Sequence, residues 1–128
     1  MRRHDAGQST VEFALILPLF VVMLAAMLEV ATLARDQLLA DGVARDAARV
    51  ASTVQTADEA YLVVGDIVNA STANVASFES VARDGIITVR VTIEPRTPSI
   101  IGLANWLGGS RYIVGEASFV TEFDIEAR

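Results

Sequence analysis

A chain of 128 residues with a net charge of −6 and no cysteine has room for one modest core, and it can form neither disulfides nor Cys-based metal sites. The charge is uneven: the first seven residues hold Arg2 and Arg3 against Asp5, whereas the remainder holds eight Arg, no Lys and fifteen acids. An acidic body of this kind is a poor partner for nucleic acid, and a single histidine, His4, leaves no ordinary catalytic triad, zinc site or near-neutral proton shuttle. No enzyme activity and no cofactor are expected.

The basic opening ends at Gly7 and is followed by an apolar segment. Phe13 to Leu28 is 16 residues without a charge, interrupted only by Pro18. At 1.5 Å per residue this reaches roughly 24 Å, short of the ~30 Å hydrocarbon core. Extension through Val30, Ala31, Leu33 and Ala34 gives 22 positions, enough to cross if Glu29 lies at the interface or is paired. The positive-inside rule places the Arg2–Arg3 end in the cytoplasm and the bulk of the chain outside. Pro18 removes one backbone donor and bends the helix.

From Arg35 the pattern becomes one-sided. Leu39, Val43, Ala47, Val50 and Val54 form a stripe widened by Ala40, Ala44, Ala48 and Ala51, so one long helix is expected from about Ser9 to Thr53. Asp41 and Arg45 stand at the spacing of an attractive pair on that helix. Thr56, with Glu59 three residues on, has the form of a capping box before a second helix to about Asn69.

Val75 to Val81 reads as a weak strand, with Val75, Ser77, Glu79 and Val81 on one side. Asp84-Gly85 is a hairpin turn, and Ile87, Val89, Val91 and Ile93 alternate with polar residues in the clearest strand of the chain. Pro98 to Leu107 has the pattern of a short helix stopped by Gly108-Gly109. A last strand begins at Tyr112 and continues to about Ile125, with Ala117, Phe119, Thr121, Phe123 and Ile125 on one face. Trp106 and Tyr112 read as fold anchors, and Glu122 and Glu126 as a solvated strand face. The sum is an α+β fold in which a three-stranded antiparallel sheet packs on a long helix that is apolar all round at first and one-faced later.

The order of the first segments is informative. A secretory signal places its small-residue cleavage point after the apolar segment, whereas here Gly7 precedes it. The stretch GQSTVEFALILPLF, with Leu17-Pro18 inside it, and the later Ala44-Arg45-Asp46-Ala47-Ala48-Arg49 resemble the TadE-like proteins, minor pilins or pseudopilins of tight-adherence (Flp) type IV pilus systems. The strongest likeness covers about 55 residues, and Thr97 to Leu103 is also similar to the family. The resemblance implies a pilin-like fold, a leader at residues 1–7, a transmembrane and assembly helix at 8–34, and an extracytoplasmic domain at 35–128. It also implies cleavage between Gly7 and Gln8 by a prepilin peptidase. Glu12, five residues after Gly7, would pair with the freed amine of Gln8 on an adjacent subunit, with Phe13 and Pro18 in the assembling segment. Partners would be other pilin subunits, assembly-platform proteins, the peptidase and membrane lipid.

Three other readings compete. A soluble protein can bury such a helix, although a body this small offers little to surround it. The second is a single-pass, membrane-anchored extracytoplasmic binding module with no pilus role, which needs neither Gly7 nor Glu12. For Glu12 itself, a plainer reading is an acid favoured by the dipole at a helix start.

Overall fold

A computed structural model of the chain describes residues 5–95 and 112–121, with side chains from residue 10 onward. The expected helix of residues 98–107, Trp106, and the strand positions beyond Thr121, including Glu122 and Glu126, lie outside the described residues.

Helix α1 (Asp5–Ala51) contains 47 residues and Pro18. At 1.5 Å per residue it is about 70 Å long. Thr53 and the residues around it form a turn that leads to α2 (Ala57–Ala70). Thr56 caps α2 as its sequence context predicts: its backbone is extended, and its hydroxyl accepts a hydrogen bond from the Glu59 amide at 3.2 Å. At the other end the Ser71 hydroxyl donates to the Val68 carbonyl at 2.7 Å, satisfying one of the last free carbonyls.

Strands β1 (Val75–Arg83), β2 (Ile86–Ile93) and β3 (Ile113–Val120) form one antiparallel sheet in the order β1-β2-β3. Asp84 and Gly85 turn the first hairpin with φ of 52° and 72°. A two-residue hairpin of this hand needs positive φ at both positions, which Asp tolerates and Gly adopts freely. β1 carries a bulge between Val75 and Ser77. The extra residue, Ala76, returns Val75 to the inner side with Phe78 and Ala82, so Val75 does not share a face with Ser77, Glu79 and Val81 as simple alternation implies.

The core lies between the sheet and the two helices. β2 supplies Ile87, Val89, Val91 and Ile93, all buried; α2 supplies Ala60, Val64 and Val68; α1 supplies Ala40, Ala44, Ala47, Ala48 and Ala51. This corrects the expected helical stripe. Ala47 is in the core, but Leu39 and Val50 remain 37% and 42% exposed, and Val43 and Val54 pack only at its margin. The buried face is turned roughly a quarter of a revolution from the predicted one, toward the small residues.

The cause is the close approach of β3. A Cβ placed on Gly115 would run into the backbone of Ala40 and lie 2.6 Å from the Asp41 nitrogen. Only alanine-sized side chains fit beneath a strand held that near. The sheet's branched residues fill the space that the alanines leave, which gives the close packing usual of protein interiors. Beside this contact, the Gln37 side-chain amide donates to the Val114 carbonyl at 2.9 Å and to the Asp41 carboxylate at 3.0 Å. Asp41 is therefore taken by Gln37, and the expected Asp41–Arg45 pair does not form.

The outer face of the sheet is polar. Arg90 donates to Glu116 at 2.9 Å and lies 3.8 Å from Glu79, joining directly opposed positions on three strands; Thr88 and Ser118 share a hydrogen bond of 2.9 Å. The hydrogen bond and charge of Glu116 raise the Arg90 guanidinium above its usual range. The ion pairs are exposed, so they fix register more than they stabilise.

Candidate assembly helix

The first half of α1 stands away from this core. From Val11 to Leu24 every side chain is exposed, on all sides of the helix. This half is long and apolar enough to cross a membrane. An apolar surface of this extent is far beyond the few hundred Å² that soluble monomers leave in water, so it requires lipid or protein around it. This counts against the buried-core-helix reading, since the described body does not enclose the segment.

The site residues follow in order along this rod. Gly7 and Gln8 are within the helix from Asp5 onward. Glu12 is one helical turn beyond Gln8 and on the same face, a rise of about 6 Å. Its side chain is exposed, as is that of Phe13. Pro18 lies within the exposed segment, where it cannot donate to the carbonyl of Ala14. The structure thus places Glu12, Phe13 and Pro18 on one continuous surface, with Gly7 and Gln8 at its head.

The body begins to cover α1 at Ala25 and Ala26, which are half-buried, and Glu29 is only 6% exposed. Helical spacing puts Ala25, Ala26, Glu29 and Asp36 on the same side as the core alanines. Glu29 is thus covered within the chain rather than left on a bare stretch of helix. The Thr32 hydroxyl donates to its carbonyl at 2.8 Å. Sequence reasoning missed this, although the signal was present: Glu29 is in register with Ala40, Ala44 and Ala47.

Tyr112, expected as an anchor, is half exposed at the head of β3. Among the described residues no group of three or more His, Asp or Glu is placed to hold a metal.

Comparison with known proteins agrees with this emphasis on α1. No curated protein and no solved structure matches the chain. The family model described as TadE-like protein matches residues 7–49. It therefore starts at Gly7, takes in Glu12, Pro18 and Glu29, and ends two residues before α1 does, so that the likeness to the TadE-like family covers the residues building the long helix.

Proposed function

We propose that this protein is a minor pilin or pseudopilin that helps initiate or assemble a tight-adherence type IV pilus. The observation that carries the reading is the coincidence of three boundaries. The family match begins at Gly7, the exposed apolar half of α1 follows it, and the folded body starts only where that half ends.

On this reading residues 1–7 are a leader removed between Gly7 and Gln8, and residues 8–34 anchor the subunit in the cytoplasmic membrane. The N-terminus lies inside and residues 35–128 outside. The cut leaves the apolar helix on the mature chain and creates an amine at Gln8. A carboxylate in poorly solvated surroundings is costly unless paired, and the Gln8 amine of a neighbouring subunit is a partner of the right charge for Glu12. Pro18 supplies a bend in the segment that must leave the bilayer for a filament.

The test is the intact mass of the protein from membranes of cells with an active prepilin peptidase. A mature chain that begins at Gln8 is expected. A chain that keeps residues 1–7 there refutes the processing claim and favours the membrane-anchored binding module.

A further inference from the structure

The two helices turn opposite charges outward. On the side of α1 that faces away from the core lie Arg35, Leu38, Gly42, Arg45 and Arg49, and the three arginines form no ion pair among the described residues. Asp46 lies on the same face, one acid among the three arginines. On the outward side of α2 lie Asp58, Glu59, Leu62 and Asp66, and α2 contains no basic residue at all. Asp58 and Glu59 suit the positive end of the α2 dipole, but Asp66 is beyond the reach of that effect. Each ridge carries an exposed leucine, Leu38 at 73% and Leu62 at 67%.

Gly42 is the second observation. It lies in the middle of a helix, where glycine is less favourable than alanine. A Cβ added there would meet nothing within 4 Å, so no contact inside the chain calls for its absence. A small residue at the centre of an outward ridge suits close approach from outside.

The order of groups also matches. The connection from α1 to α2 is five residues long, and a link this short joins antiparallel neighbours. Two copies anchored side by side in one membrane therefore present α1 and α2 to each other in opposite directions. Down α1 the order is Arg49 and Arg45, then Gly42, then Arg35. Along α2 it is Asp58 and Glu59, then Leu62, then Asp66. With Leu62 level with Gly42, Glu59 is level with Arg45, while Asp58 lies about 4.5 Å along the axis from Arg49 and Asp66 the same rise from Arg35, within reach of the long arginine side chains.

We infer that the basic ridge of α1 in one copy of this chain docks against the acidic ridge of α2 in the next, with Leu62 of one seated over Gly42 of the other. The two ridges are different surfaces, so the contact is heterologous: a docked pair keeps one unused ridge of each kind, and the association can propagate. The inference rests on the pilin reading for the parallel, side-by-side placement of copies.

The absence of native cysteine makes the test direct. Two differently tagged full-length chains, one Gly42→Cys and one Leu62→Cys, are co-expressed in cells that keep an active prepilin peptidase but lack the other pilus genes, and are oxidised in the membrane. The mixed disulfide is expected at five-fold or more over either homodimer. Arg45→Glu with Arg49→Glu on the first chain should lower it about ten-fold, and Asp58→Arg with Glu59→Arg on the second should restore it. Thermal melting of each variant in detergent checks folding. A Gly42→Cys homodimer as abundant as the mixed species, no cross-link between folded chains, or failure of the double reversal to restore it overturns the inference. The N-terminal mass from the same membranes reports on processing separately, so failure of the pilin reading and failure of the docking remain distinguishable.

Discussion

The two halves of α1 invert the usual relation between hydrophobicity and burial. The half from Val11 to Leu28 carries most of the large apolar side chains of the helix and leaves nearly all of them exposed, whereas the half from Ala40 to Ala51 carries five alanines and buries all five. What decides burial here is the space the neighbour leaves. The sheet offers α1 a surface of branched side chains at close range, and alanine fits it; bilayer or neighbouring subunits are the counterpart of the other half. Apolar area of the first half contributes to anchoring, and shape in the second contributes to folding.

The comparison is sharpest where the seam is fullest. Ile87→Ala, at a fully buried position of β2, should destabilise the body by about 2–5 kcal/mol, read by thermal or denaturant unfolding of the full chain in detergent. Gly115→Val should follow at about 3 kcal/mol, the upper end for overpacking, because the atoms it meets belong to the Ala40 and Asp41 backbone and cannot rotate away. If Gly115→Val unfolds at the native temperature, β3 does not lie as near to α1 as described. Gly42→Ala, on the opposite side of the same helix turn, should stabilise the body by up to about 1 kcal/mol in the same assay; destabilisation would mean that the outward face is covered within the chain. In the exposed half, Leu24→Ala and Glu12→Ala should leave unfolding of the body within about 0.5 kcal/mol of the wild type. Of these two, Glu12→Ala is the one expected to lower co-purification with pilus components while membrane insertion persists. Normal incorporation would reduce Glu12 to an acid placed by the helix dipole.

The parts of the fold legible in the sequence are those set by short-range rules. Alternation in Ile87 to Ile93 marks the inner face of β2, Asp84-Gly85 marks the turn, and Thr56 marks the start of α2; each was readable because neighbouring residues determine it. The buried face of α1 was legible only in part: the expected stripe includes all five core alanines, but hydrophobicity centres it on Leu39 and Val50, which stay exposed. The choice of the alanine stripe depends on Gly115, which is 75 residues from Ala40 in the chain. Ala76 likewise looks like an ordinary strand residue until β2 is placed beside it. For the site, Gly7, Glu12 and Leu17-Pro18 were visible as a family pattern, but the pairing of Gln37 with Val114 depends on where β3 crosses.

The uninterrupted course of α1 has a mechanical consequence. Ala40, where β3 grips the helix, is 35 residues from Asp5, a lever arm of about 52 Å. Rocking the helix by about 10° at that grip would sweep its far end through roughly 9 Å, more than the rise of a whole helical turn. The aim of Glu12 is therefore governed less by its own surroundings than by the stiffness of a fulcrum made of one glycine, a few alanines and the Gln37 amide.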